Sequence, residues 1–287
     1  MGLTEIEIRK ENNLKRYIAG LGSLAVAFSG GVDSTYLAKV AHDVLGDRMI
    51  AITAQSGSFP RKDTDEAVEF CRGRGIRQIV VKTNELELEG FRENPADRCY
   101  ICKTGIFTQL KAKAGELGIA YVADGSNADD KGDYRPGLRA LRELDVKSPL
   151  METGLTKQEI CDLSQAHGLP TWNKPSAACL ASRFAYGETI TREKLAMVEQ
   201  AERVLDRYGF IQVRVRMHGD NLARIEVAPA ELERLLSLGS EISAKFKGIG
   251  FVYVTMDMLG YRVGSMNEVL KRSEEHTSEL QSRVSIS

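Results

Sequence analysis

The chain has 287 residues, of which 43% are apolar and 28% charged, with a formal net charge of −1. These proportions describe a globular chain of one large or two modest domains. They supply no run of about 18 apolar residues to span a membrane, and no basic field that demands nucleic acid. The N-terminal stretch is charged (Glu5, Glu7, Arg9, Lys10, Glu11) where a signal peptide is apolar, so a cytoplasmic location is expected.

Residues 24–28 form an apolar run that leads into Ser29-Gly30-Gly31-Val32-Asp33-Ser34, followed by a helical pattern through Tyr36, Leu37, Val40, Ala41 and Val44. Strand, glycine turn and helix start make the geometry that binds phosphate. Adjacent glycines let backbone N–H groups converge on an anion, and the helix adds its unpaired first-turn amides. Ser29, Ser34 and Thr35 supply further donors. A Walker-type loop would carry a lysine for the terminal phosphates, and this loop has none.

Further strand candidates at 49–53, 78–81 and 120–123 alternate with helical patterns over 35–45, 62–74 and 104–117. This repetition predicts an α/β fold with a parallel sheet covered by helices, whose ligands bind beyond the carboxyl ends of the strands. That edge gathers residues 29–34, the segment after Thr53, and the acidic segment 124–130. Within the last, Asp124 and Gly125 are the candidates for nucleotide or magnesium contact.

Five cysteines in a cytosolic chain argue for thiol or metal chemistry over disulfides. Cys99 and Cys102 form a C-x-x-C within 94–104, and Cys179 lies in Lys174-Pro-Ser-Ala-Ala-Cys-Leu-Ala-Ser-Arg183. Cys71 and Cys161 fall inside helical patterns with apolar neighbours and read as buried. Zinc normally takes four ligands, and no second C-x-x-C or paired-histidine spacing appears. Three thiolates suit an iron–sulfur cluster with one open iron somewhat better.

From about Thr189 the character changes. A helical pattern over 191–208 is followed by strand candidates 212–217 and 222–227, a helix near 230–246, and a strand over 251–255. Alternating charged and apolar residues predict a smaller α+β domain with one sheet face toward solvent or a partner. Arg214 and Arg216 share a face, either as a solvated pair or as a site for a dianion. The expected division is 1–188, 189–271, and a disordered or artefactual tail over 272–287.

Residues 29–34 resemble the PP-loop of ATP pyrophosphatases, which cut ATP between its first two phosphates and adenylate a substrate. Taken with 94–103, Asp133-Tyr-Arg-Pro-Gly137, Asn173-Lys-Pro, Cys179-Leu-Ala-Ser-Arg183, Tyr186-Gly187 and Val213-Arg-Val-Arg216, the chain resembles the LarE family over roughly residues 15–270. The resemblance implies an ATP-dependent sulfur transferase using ATP and Mg2+. Its substrate would be pyridinium-3,5-biscarboxylic acid mononucleotide, a carboxylate of which is adenylated and converted to a thiocarboxylate in nickel-pincer nucleotide biosynthesis. It implies that Ser29, Gly30, Gly31, Asp33 and Ser34 hold the ATP phosphates, Asp33 through magnesium. Arg214 and Arg216 would take the substrate phosphate, and Ser182 and Arg183 would line the pocket beside Cys179. Glu202 and Glu226 match acidic positions associated with metal and substrate.

One branch of the family spends a single cysteine as sulfur source. The other holds a [4Fe–4S] cluster on three cysteines, and Cys99, Cys102 and Cys179 place this chain with the latter, its sulfide source unspecified. The family also implies a trimeric or hexameric homo-oligomer. The rival readings are a tRNA thiolation enzyme, against which the near-neutral charge speaks, and a non-catalytic ATP-binding regulator, which would leave the cysteines and strand arginines without work.

Overall fold

Thr4 and Glu7 start the fold. The Thr4 hydroxyl accepts from the Glu7 N–H while the Glu7 carboxylate accepts from the Thr4 N–H, a reciprocal cap that begins helix α1 (Glu5–Leu21). In the computed structural model, which describes residues 2–132, 136–175, 178–262 and 265, the chain divides into two compact units. The first is 1–88 with 97–177, and the second 89–96 with 178–287.

The first unit continues through β1 (Leu24–Ala27), α2 (Val32–Leu45), β2 (Met49–Gln55), α3 (Arg61–Arg74), β3 (Gln78–Lys82), α4 (Arg98–Glu116), β4 (Tyr121–Ala123), α5 (Pro136–Glu143), α6 (Pro149–Glu152) and α7 (Lys157–Ala166). The strands pair in parallel in the order β3-β2-β1-β4, with Leu24 opposite both Met49 and Tyr121. The expected parallel α/β sheet is therefore present. Alternate strand residues feed opposite cores. Leu24 and Val26 join Leu14, Leu37, Val40 and Leu163 on one face, whereas Ala25 and Ile50 join Phe107, Leu110 and Leu141 on the other. Burial on both faces explains why these strands read as continuous apolar runs.

Helices α1, α5, α6 and α7 go beyond the elements that apolar periodicity predicts. Two of them carry a sequence signal nonetheless: Thr4-x-x-Glu7 at α1 and Thr156-x-x-Glu159 at α7 both form capping boxes.

The second unit holds α8 (Arg192–Arg207), β5 (Val213–His218), β6 (Leu222–Val227), α9 (Leu232–Ser237), α10 (Gly239–Ile249) and β7 (Tyr253–Met256). Its sheet runs β5-β6-β7, antiparallel in the first pair and parallel in the second. The helix expected near 230–246 is interrupted at Leu238, where α9 ends and α10 begins. Strand β5 departs from the expected half-exposed pattern, since Val213 to Met217 are all buried, including Arg214 and Arg216, whereas β7 keeps Tyr253 and Thr255 exposed.

The division falls at Ala178, ahead of the expected 188/189, and the second unit takes in 89–96. Hydrogen bonds give the reason. Asn94, fully buried at φ +53°, donates from its amide to the carbonyls of Ala185 and Phe184, while Gly187 and Ile190 donate to the carbonyls of Asn94 and Arg92. No helix among the described residues is long and apolar enough to cross a membrane. The expected tail 272–287, Asp133 to Arg135 of the Asp-Tyr-Arg motif, and Ser176 and Ala177 lie outside the described residues.

Replacing Asn94 removes the donor from two carbonyls in a closed interior. Asn94→Ala is expected to lower unfolding free energy by about 2 kcal/mol, read as a shift of the urea midpoint at unchanged slope.

Candidate functional site

The apolar strand β1 delivers Ser29–Ser34 to the carboxyl edge of the parallel sheet, where α2 starts with Gly31 as its N-cap and no side chain capping it. The first-turn amides are thus left for a ligand, the arrangement that favours an anion. Gly30 adopts φ +70°, and a Cβ there would lie 3.3 Å from both the Asp63 carbonyl oxygen and the Ala67 Cβ. Gly125 packs against the same turn, since a Cβ on it would lie 3.1 Å from the Ser34 nitrogen. The hydroxyls of Ser29 and Ser34 are 3.1 Å apart, and Ser34 Oγ donates to the Gly31 carbonyl. Buried Thr35 Oγ1 has no hydrogen-bond partner among the described residues. An uncapped, glycine-lined helix start fits a phosphate chain.

The lysine that this loop lacks in sequence is delivered by the fold. Lys157, the first residue of α7, places Nζ 2.6 Å from Asp33 Oδ2, and Asn127 Nδ2 donates to Asp33 Oδ1 at 3.2 Å. Lys174 Nζ reaches the Gly30 carbonyl at 3.3 Å, Asp63 Oδ1 at 2.9 Å and Glu66 Oε2 at 2.8 Å. Burial works against its charge, but the hydrogen bonds it donates to Glu66 and Asp63, with the charges of those carboxylates, outweigh it, so the Lys174 pKa is raised. Lys103 lies 3.7 Å from buried Asp124. Asp124 also accepts from Ser148 Oγ at 2.7 Å and from Ser126 Oγ.

In the acidic loop, Asp129 accepts from the Lys157 N–H and Asp130 from the Asn127 N–H. Those two carboxylates hold the loop and the start of α7. Lys103 and Lys174 fall within the motifs 94–103 and Asn173-Lys-Pro, but the sequence does not tell which carboxylates the three lysines meet, because each finds its partners across long stretches of chain.

Cys99 and Cys102 stand one turn apart near the start of α4, the first exposed and the second packed against the core beside Ile106 and Leu110. No disulfide involves any of the five cysteines. Cys71 is buried and its thiol is pushed up to about 12 by that burial. Burial likewise raises the Cys161 thiol, and both keep the apolar role expected of them. Among the described residues no group of three or more His, Cys, Asp or Glu side chains stands together as metal ligands.

In the second unit Cys179 precedes a short turn, Leu180–Arg183, that two side chains fasten. Ser182 Oγ donates to the Cys179 carbonyl at 2.8 Å. Arg183 Nη1 donates to the carbonyls of Ala178 and Cys179. Arg183 is buried and forks onto Glu202, with Nε and Nη2 at 2.8 and 3.0 Å from its two oxygens; Glu202 also accepts from the Val215 N–H. Arg216 donates to the Ser182 carbonyl, to fully buried Glu226 at 2.8 Å and to Ser265, while its Nε has no partner among the described residues. Glu226 holds Arg224 as well.

Arg214 stacks over the Tyr261 ring at 5.2 Å, and its pKa is lowered first by burial and then by the charge of Arg183. Arg183, Arg214 and Arg216 thus concentrate cationic charge beside the Cys179 turn, a setting suited to a phosphate dianion.

The NAD synthase family matches residues 7–95, the part of the chain that contains the glycine turn. Over 92% of its length the chain is 36% identical to pyridinium-3,5-bisthiocarboxylic acid mononucleotide synthase of Lactiplantibacillus plantarum, 96% of which is covered. The chain belongs to the LarE family. It is also 45% identical to an uncharacterised protein of Synechocystis sp., over 92% of this chain and 98% of that one. A more distant relative is the glutamine-hydrolysing GMP synthase of Aeropyrum pernix, 27% identical over 64% of this chain and 39% of that protein. As a LarE-family protein with a PP-loop, the chain is an ATP-dependent sulfur-transferring enzyme that works with ATP and Mg2+.

The thiol environments make a direct prediction. In reduced, metal-free native protein, iodoacetamide should label Cys99 first, with Cys71 protected until the chain is unfolded; peptide mass mapping over a time course reads the order.

Proposed function

We propose that this LarE-family enzyme adenylates a carboxylate of pyridinium-3,5-biscarboxylic acid mononucleotide and exchanges the AMP for sulfur, giving the thiocarboxylate. The observation that carries the reading is the uncapped Gly30–Gly31 turn at the end of β1, with Asp33 and Lys157 across it. The name of the Lactiplantibacillus plantarum relative supplies the substrate class.

In this reading a substrate carboxylate oxygen attacks the α-phosphorus of ATP and pyrophosphate leaves. Ser29, Gly30, Gly31 and Ser34 hold the phosphates through backbone N–H groups and hydroxyls. Asp33 would hold Mg2+, whose charge would offset the repulsion between a bare carboxylate and the phosphates. Lys157 then has phosphate oxygens as an alternative partner to Asp33, and Asp124 and Gly125 shape the wall against Ser34. The positive charge of Arg214 and Arg216, with Arg183 beside them, suits the single phosphomonoester of the substrate. Glu202 and Glu226 keep those guanidinium groups in place, an arrangement supported by their hydrogen bonds.

Sulfur enters by attack on the adenylated carbonyl carbon, and AMP departs with the electrons of the C–O bond. Cys179 is the residue assigned to this step, since it is common to both sulfur sources known for the family and its turn is held by Ser182 and Arg183. The cluster form is supported by the Cys99, Cys102 and Cys179 pattern in sequence. A cytoplasmic homo-oligomer fits the same reading, supported by the exposed Val252, Tyr253, Met258 and Leu259 around β7, an edge strand of the second sheet.

Asp33→Ala should abolish ATP-dependent pyrophosphate and AMP release while leaving the circular-dichroism spectrum intact; unchanged release would remove the loop from the chemistry. Iron and acid-labile sulfide on anaerobically reconstituted protein separate the sulfur sources. About four irons per chain identify the cluster form. Absence of iron, with Cys179 lighter by one hydrogen sulfide after turnover, identifies the sacrificial form.

A further inference from the structure

Lys174 is the best-satisfied cation at the sheet edge. An ammonium group has three donors, and here three acceptors surround it: the Gly30 carbonyl, Asp63 and Glu66. Its side chain is 20% exposed, against 40% for Lys157. Two carboxylates already balance its charge, so in this arrangement it has neither a spare donor nor surplus charge for a phosphate. What it does hold is the carbonyl between two glycines.

That carbonyl matters because of peptide geometry. The Gly30 C=O and the Gly31 N–H belong to one trans, planar unit and point in opposite directions. Two consecutive glycines impose little torsional preference on the unit between them, so in isolation its plane turns over readily. One orientation offers an N–H to an anion; the other presents a carbonyl oxygen, which repels it. Drawing the carbonyl onto Lys174 selects the first, in which the Gly31 N–H donates to Ser29 Oγ at a long 3.4 Å, a contact that a phosphate oxygen can replace. The contacts of Gly30 act in the same sense: the residue sits against the opening turn of α3, the helix that carries Asp63 and Glu66, with no space for a side chain.

We propose that Lys174 is a positioning residue for phosphate binding: by holding the Gly30 carbonyl it keeps the Gly31 N–H turned toward the triphosphate of ATP. The inference rests on reading residues 29–34 as the phosphate site. Lys174 lies five positions before Cys179 in the chain, so the segment that steadies the phosphate loop is continuous with the one that carries the sulfur-transfer cysteine.

The test compares ATP with adenosine, which lacks the phosphates, by titration calorimetry on wild type, Lys174→Met and Lys174→Arg. Melting temperature and circular dichroism are followed in parallel. Lys174→Met is expected to weaken ATP binding about tenfold, the equivalent of roughly one charge-assisted hydrogen bond, and to leave adenosine affinity unchanged. Lys174→Arg, which keeps a cationic donor, should recover most of the loss. Equal weakening of ATP and adenosine would overturn the inference by making Lys174 a support of the fold, as would unchanged ATP affinity in a folded variant. If Lys174→Met does not fold, Lys174→Gln is measured against the same criteria. A wild-type protein that binds ATP no more tightly than adenosine would overturn the phosphate reading of the loop itself, and this inference with it.

Discussion

The glycine turn that ends β1 carries no lysine of its own, and the first unit gathers cations around it from elsewhere in the chain. The Ser-Gly-Gly-Val-Asp-Ser turn offers backbone dipoles and hydroxyls, enough to shape an anion site but short of the charge that a triphosphate carries. Lys103, Lys157 and Lys174 stand at this edge, from α4, from the start of α7 and from the segment beyond α7. Each is already matched by a carboxylate: Asp124, Asp33, and the pair Asp63 and Glu66. Matching keeps like charges from repelling one another before a ligand arrives.

The second unit solves a related problem with arginine. Arg183, Arg214 and Arg216 are buried, a costly state for a charge, and only paired guanidinium groups persist there. Glu202 pairs with Arg183 and Glu226 with Arg216, each carboxylate accepting from more than one donor, while Arg214 donates to the Val213 carbonyl and lies over the Tyr261 ring. The unit thereby holds a dense positive site in a low-dielectric interior. Its backbone contacts reach Cys179, because Arg183 and Ser182 both bond the carbonyl of that residue. The same few side chains carry the positive charge and the bonds that hold the Cys179 turn.

Membership of the LarE family agrees with both arrangements. The relation to the NAD synthase family covers the region of the glycine turn, where the chemistry of cutting ATP resides, whereas the arginine and cysteine constellation belongs to residues beyond that match. Adenylation and sulfur delivery are thus written in different stretches of the chain.

The sequence by itself determined the glycine turn, the alternation of strands and helices over the first half, and the cysteine and arginine motifs. Each of these is local: a turn, an apolar period of two or 3.6, or a short spacing survives being read along one dimension. Helices α1 and α7 announce their starts through Thr-x-x-Glu caps, which are equally local signals. Tertiary structure alone decided that Arg214 and Arg216 are buried, and that Glu226 and Glu202 hold the site arginines. It alone brought Lys157 to Asp33 and Lys174 to Gly30, partners 124 and 144 positions apart. Charge pairing acts through space at a few ångströms, and the order of residues along a chain carries no record of which distant carboxylate a lysine will meet once the sheet has gathered its loops on one edge.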